Sequence, residues 1–60
     1  MNEEERQALV DAMGAWVGNY LSHAKVKNTS GMAFAVAKIT AGVGLLAQDF
    51  VETMEQAKAN

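Results

Sequence analysis

His23 is the only histidine of the chain and therefore the only imidazole that could act as a base near neutral pH. Asp11 is the only acidic residue between Gln7 and Ala24. On a helix it lies twelve positions from His23 and about 120° away around the axis. The two side chains then do not meet within one chain, so no set of nucleophile, base and orienting group forms. We predict that the protein is not an enzyme and that His23 serves as a cation at a helix end.

Metal and nucleotide sites lack their usual residues. The chain has no cysteine, so neither a disulfide nor a Cys/His zinc site can form. The stretch AGVGLL, residues 41–46, has neither the spacing nor the lysine of a phosphate-binding loop. Trp16, Tyr20 and the methionines recur at helical spacing, which indicates packing. We predict no metal and no cofactor.

The length of 60 residues limits what can hold the chain folded. A domain this short buries only about 60% of the surface that its unfolded form exposes. Natural proteins of this size add disulfides, a metal or a partner subunit. With the first two excluded, we expect one domain over residues 1–60 that is stabilised by self-association.

Charge and the start of the chain argue against two classes, nucleic-acid-binding proteins and secreted proteins. The net charge is −2 with only five Lys and Arg residues, which gives no basic stripe for nucleic acid. The acidic start MNEEERQAL is unlike a secretory signal, which opens with positive charge. We therefore expect a cytoplasmic protein.

A capping signal opens the first predicted helix, at about residues 2–25. Asn2 can cap this helix, with Glu5 three residues later as in a capping box. Apolar residues then recur at spacings of 1 and 3, which is a helical pattern. Those assigned to core or dimer packing are Leu9, Val10, Met13, Trp16, Val17, Tyr20 and Leu21.

The segment KNTSG predicts a turn at about residues 26–30, followed by a second helix at about residues 30–57. In this helix large apolar residues alternate at spacings of 4 and 3, as in a coiled coil. The predicted packing seam consists of Met32, Val36, Ile39, Val43, Leu46 and Phe50.

Two long helices joined by a short turn lie antiparallel. The predicted fold is therefore all-α: a two-helix antiparallel hairpin that homodimerises into a four-helix bundle with a closed core. In architecture alone, this bundle resembles the plasmid protein Rop.

A second line of residues runs along helix two, away from the predicted seam. It consists of Phe34, Lys38, Ala41 and Leu45, and we call it the ridge. If helix one covers the seam, it cannot also cover the ridge. We predict that the ridge binds a partner, with burial inside the homo-oligomer as the alternative.

The apolar character of residues 31–48 also raises the possibility of a membrane span. Lys38 lies in the middle of this segment, and a central lysine costs about 2.5–3.5 kcal/mol on insertion scales. Trp and Tyr residues do not flank it. We expect no span, and a small membrane-associated protein remains an alternative.

Four glycines lie inside the predicted helices: Gly14, Gly18, Gly42 and Gly44. Each lowers helix stability by about 1 kcal/mol relative to alanine. Glycine is useful where two backbones approach closely, so we predict close packing against another helix at these positions. Simple tolerance, or a kink at Gly42 and Gly44, is the alternative.

The distribution of charge predicts how two hairpins associate. Acidic residues gather at the open end, offset by Arg6 and Lys58, and His23, Lys25 and Lys27 gather at the turn. This polarity favours a head-to-tail dimer, although exposed pairs contribute little to affinity.

Together these features predict a small non-enzymatic module that binds another protein, as an adaptor, modulator or inhibitor, and acts as a homodimer. Its partners would be itself and a second protein. RNA binding on one face of a Rop-like bundle is the alternative from another class. The phosphate contacts would then fall to few residues: Arg6, Lys25, Lys27 and Lys38.

Overall fold

Two helices account for nearly the whole chain in the computed structural model, which describes residues 1–59. Helix α1 covers Glu3–Lys25 and helix α2 covers Thr29–Ala59. No strand occurs in residues 1–59. The helices pack against each other over their shared length. The prediction of an all-α antiparallel hairpin is confirmed.

The start of α1 is held by a capping box. The Asn2 side chain accepts a hydrogen bond from the Glu5 backbone N–H at 2.8 Å, and the Glu5 carboxylate accepts one from the Asn2 N–H at 3.1 Å. The first turn contains Glu3, Glu4 and Glu5, whose negative charges interact favourably with the positive end of the helix dipole. The chain therefore enters the helix as its first residues predict.

The turn is shorter than predicted because α1 ends in a Schellman motif. The Lys27 N–H donates to the Ala24 carbonyl and the Asn28 N–H donates to the His23 carbonyl, at 3.1 and 2.9 Å. Lys27 has a φ of 58°, the left-handed conformation that this motif requires. Asn28 then caps α2 by accepting a hydrogen bond from the Gly31 N–H. Thr29 and Ser30, predicted in the turn, are already helical.

The face that α2 turns toward α1 differs from the predicted seam. Its most buried residues are Ala35, Gly42 and Asp49. With partly buried residues that continue the same spacing they form the hairpin seam: Arg6, Leu9, Met13, Trp16 and Tyr20 in α1, and Met32, Ala35, Ile39, Gly42, Leu46 and Asp49 in α2. Three further residues beside the turn are also partly buried: His23, Ala24 and Gly31. The predicted Met32, Ile39 and Leu46 belong to it. Val36, Val43 and Phe50 do not, because each follows a seam residue by one position and is exposed.

Relative to the prediction, α2 is rotated about its axis so that Ala35 and Gly42, and not Val36 and Val43, face α1. Small side chains explain this rotation. Ala35 is completely buried, whereas no large side chain in residues 1–59 is. A Cβ atom built on Gly42 would lie 2.7 Å from Cγ of Met13 and 2.8 Å from its Sδ. The helices thus approach closely at the small residues, and the large valines next to them turn outward.

Three of the predicted apolar packing residues of α1 are also exposed in the hairpin. These are Val10, Val17 and Leu21. Each follows a hairpin-seam residue by one position, as the exposed residues of α2 do. Their predicted role in packing is therefore not fulfilled within one chain, and it stays a prediction for the dimer.

The four glycines predicted to lie inside helices fall into two groups. Gly42 packs closely on Met13. Among residues 1–59, nothing lies within 4 Å of a Cβ built on Gly14, Gly18 or Gly44. Close packing at these three positions stays a prediction about a partner helix. Helix α2 is assigned as one continuous helix through Gly42 and Gly44.

Replacing Lys27 with glycine should stabilise the hairpin, because a left-handed conformation disfavours a side chain by about 1 kcal/mol or more. We expect an increase of about 0.5–1 kcal/mol in the free energy of unfolding, measured by urea denaturation. Lys25→Gly is the matched control within α1 and should destabilise. A loss of stability in Lys27→Gly would contradict the strain assigned to this position.

The pair Gly42→Ala and Gly44→Ala should change stability in opposite directions. Gly42→Ala forces Met13 aside and should cost about 1–3 kcal/mol. Gly44→Ala adds a methyl group in open space and should stabilise by about 0.5–1 kcal/mol. The measurement is thermal unfolding of both variants at one concentration. Destabilisation by Gly44→Ala would indicate that a partner helix packs there.

Candidate protein-binding site

The ridge runs along one edge of α2, directly beside the hairpin seam. Each of its four residues precedes a seam residue by one position: Phe34, Lys38, Ala41 and Leu45 precede Ala35, Ile39, Gly42 and Leu46. All four are exposed, Phe34 at 56% and Leu45 at 51% of their full surface. The hairpin therefore brings the predicted partner-binding residues onto one accessible line.

Trp16 of α1 joins this line, which corrects the expectation that helix one leaves the ridge uncovered. Its ring packs edge-on against Phe34, with ring centroids 5.5 Å apart and an angle of 69° between the planes. Trp16, predicted to take part in core or dimer packing, is partly buried in the hairpin. The rotation of α2 turns Phe34 toward α1 and makes this contact possible.

Lys38 lies over both aromatic rings. Its Nζ atom is 5.3 Å from the centroid of Phe34 and 6.0 Å from that of Trp16. Each such cation–π contact is worth about 0.5–1 kcal/mol at an exposed site. The edge-on aromatic pair adds a similar amount. These contacts favour one arrangement of the Phe34 and Lys38 side chains on the surface of the hairpin.

A second cluster, centred on Asp49, connects the two helices at the open end of the hairpin through ion pairs. Arg6 Nε donates to Asp49 Oδ2 at 2.8 Å, and the Met1 amino group lies 3.3 Å from Asp49 Oδ1. Arg6 also pairs with Glu3 at 2.8 Å. A shallow depression lined by Met1, Leu45, Gln48, Asp49 and Glu52 connects this cluster to the lower end of the ridge.

Asp49 is one of the acidic residues at the open end, and its burial is not predicted from the sequence. It is 7% exposed, because it occupies the seam position that follows Leu46 by three. The spacing 32, 35, 39, 42, 46, 49 carried this signal, but the larger side chains at 36, 43 and 50 concealed it. A buried carboxylate needs a partner, and Arg6 supplies it.

The hydrogen bond from Arg6 is the largest cause that lowers the pKa of Asp49. Burial opposes this effect, and the Met1 amino group reinforces it. The same hydrogen bond raises the pKa of Arg6. Asp49 is therefore held ionised in the folded hairpin.

His23 has a structural position at the turn. Its Nδ1 lies 3.2 Å from Nδ2 of Asn28, whose Oδ1 is already occupied by the Gly31 N–H. A hydrogen bond between these atoms has the Asn28 amide as donor and Nδ1 as acceptor, which only the uncharged ring allows, so this contact differs from the cationic role predicted for His23. The ring also fills the space beside Gly31, where a Cβ atom would collide with it. Asp11 instead accepts a hydrogen bond from Gln7 at 2.9 Å.

Two properties of the whole chain bear on the site. No group of three or more His, Cys, Asp or Glu side chains in residues 1–59 is arranged to hold a metal ion. Helix α2 is long and apolar enough to cross a membrane, with a mean hydropathy of 1.5 over its most apolar window, of which 11% is buried. The core helix of a soluble bundle meets the same criteria, so this property alone does not locate the protein.

The lowered pKa of Asp49 predicts a specific acid sensitivity. Its stabilising effect is complete above the unfolded-state value of about 3.9 and is lost as the pH falls through the lower folded-state value. We expect the free energy of unfolding of the wild type to decline below about pH 4. Asp49→Asn should be less stable at neutral pH and should show a shallower decline. Equal slopes in urea denaturation series at several pH values would contradict the ion pair.

Comparisons of the chain with protein-family models, with curated proteins and with solved structures find no match.

Proposed function

We propose that this chain is a small non-enzymatic module that binds another protein, as an adaptor, modulator or inhibitor, and that it works in the cytoplasm as a homodimeric four-helix bundle. The observation that carries the proposal is the ridge, which combines two half-exposed large apolar residues with a cation held over an aromatic pair.

The spacing of the ridge suits a particular mode of protein recognition. Phe34, Lys38, Ala41 and Leu45 stand at i, i+4, i+7 and i+11, the pattern by which one face of a helix enters an apolar groove. Aromatic residues frequently provide the dominant contacts in such interfaces. Lys38 has no carboxylate in ion-pair contact within residues 1–59, so it is available to an acidic group on the rim of the groove.

Membrane association is a second candidate, favoured by the apolar window of α2. In that case α2 would contact lipid through the surface that the hairpin leaves exposed. Lys38 counts against a span, since a charge near the middle of a span is costly. Flotation of the purified protein with phosphatidylcholine vesicles separates the candidates, because a protein-binding module stays in the aqueous fraction.

Leu45→Asp should abolish partner binding while leaving the hairpin folded, because Leu45 is half exposed. The matched control is Val51→Asp, since Val51 is also 51% exposed, on the same helix, but lies outside the ridge. A partner recovered by pull-down should bind Leu45→Asp at least about thirtyfold more weakly and Val51→Asp as the wild type, measured by calorimetry.

Circular dichroism and sedimentation of both variants accompany the binding measurement. Equal binding by Leu45→Asp and the wild type would refute the ridge as the docking site. Loss of fold or of association in Leu45→Asp alone would move the ridge into the core of the oligomer.

A further inference from the structure

Most of the residues that follow the hairpin seam by one position, from Val10 to Leu21 in α1 and from Val36 to Phe50 in α2, form with Met54 a continuous apolar surface, which we call the valine face. Gln7 and Ala33 also follow seam residues but lie beyond its ends. A step of one residue turns each helix by about 100°. Because α1 and α2 are antiparallel, the residues that follow the seam by one position lie on the same broad side of the hairpin in both helices. The ridge, whose residues precede the seam by one position, lies on the opposite side. The valine face consists of Val10, Gly14, Val17 and Leu21 of α1 and Val36, Thr40, Val43, Ala47, Phe50 and Met54 of α2.

All ten residues of the valine face are exposed, and none is ionisable. An ordinary solvated helix surface would carry Lys and Glu residues here. Thr40 is the only member with a polar side chain. An apolar surface of this length on a small protein is characteristic of an interaction site.

We propose that the valine face is covered by a second copy of this chain, placed head to tail. This inference rests on the homodimer in the proposed function and adds which surface forms the interface and in which orientation. The interface would be distinct from the ridge, which stays free on both outer sides of the dimer for a partner.

The dimensions of the hairpin match a stable dimer. The Cα atoms extend over 51 × 18 × 10 Å, so the molecule is a single layer with two broad sides. The rectangle that bounds the Cα atoms on one side, 51 × 18 Å, measures roughly 900 Å², so this side has room for the about 800 Å² that each partner buries in a standard interface. Stacking two layers on their valine faces supplies the closed core that one layer lacks.

The spacing of the valine face allows it to pack against the valine face of a second copy that runs in the opposite direction. Its residues alternate at intervals of 4 and 3 in both helices, and this alternation has the same form in either direction. A two-fold axis across the helices then places α2 against α2 and α1 against α1 of the partner copy, each pair antiparallel. Such an arrangement is isologous and closes at two copies.

Charge selects this orientation over the one with both turns together. The open end carries Glu3, Glu4, Glu5, Glu52 and Glu55, and the turn end carries Lys25 and Lys27. Head-to-tail placement brings the lysines of each turn near the carboxylates of the other copy. Turn-to-turn placement would bring like charges together at both ends.

The decisive experiment compares Val43→Glu with Val51→Glu. The two valines are on the same helix and are almost equally exposed, at 53% and 51%, but only Val43 lies on the valine face. In a monomer the two substitutions are equivalent. In the proposed dimer, Val43→Glu buries two unpaired carboxylates, one from each copy.

Sedimentation equilibrium should give twice the 6.4 kDa chain mass for the wild type and for Val51→Glu. We expect the dissociation constant of Val43→Glu to rise at least about 100-fold. Val17→Glu tests the same face from α1. It replaces Val43→Glu as the deciding variant if circular dichroism shows that Val43→Glu is not helical. Equal association of the glutamate variants would overturn the valine face as the interface.

The remaining outcomes separate this inference from the proposed function. A monomeric wild type overturns the inference and the homodimer, whereas binding at the ridge is decided by Leu45→Asp. Flotation of the wild type with phosphatidylcholine vesicles, lost in Val43→Glu, would assign the face to lipid and overturn the inference.

A spin-label measurement tests the orientation of the two copies. Nitroxide labels attached at Val26→Cys, one on each copy of the dimer, should be separated by a distance on the scale of the 51 Å hairpin. A short distance between the labels would overturn the head-to-tail orientation.

Discussion

The close approach of α1 and α2 at Ala35 and Gly42 is the constraint on which the rest of the molecule depends. A buried methyl group at one position and no side chain at the other let Met13 of α1 lie directly against the backbone of α2. A valine at either position would hold the helices apart. Because a helix can turn only one face toward its neighbour, this choice also decides which residues lie on each broad side of the hairpin.

The ion pair of Asp49 with Arg6 continues the same register to the open end. Asp49 lies one heptad beyond Gly42 on the buried face, and its carboxylate is held by Arg6 at 2.8 Å. Rotating α2 to bury Phe50 instead would remove this contact and expose the carboxylate to solvent. Separating an ion pair of this kind is unfavourable, because it leaves the buried Asp49 carboxylate without a compensating charge. The ion pair therefore acts together with the small residues to select one rotation of α2.

The rotation gives the two broad sides different chemistry. On one side, the residues that precede the seam combine Phe34, Lys38 and Leu45 with Trp16 of α1. On the other side, the residues of the valine face are apolar or small, without ionisable groups. Surfaces with such different composition suit different occupants, and this contrast supports a division between self-association and partner binding.

By itself, the sequence determined the two helices, the capping box of α1 and the hairpin, because helix capping and 3.6-residue periodicity are local properties of the chain. It also marked the ridge, since Phe34, Lys38, Ala41 and Leu45 stand in line on any straight helix. Only the tertiary structure decided which of two adjacent heptad series on α2 faces α1. Hydrophobicity favoured Val36, Val43 and Phe50, whereas the hairpin buries Ala35, Gly42 and Asp49. The physical reason is that close packing of two helices depends on the fit of opposing side chains, here Met13 on Gly42 and Arg6 on Asp49, and such a fit has no counterpart in the periodicity of one helix.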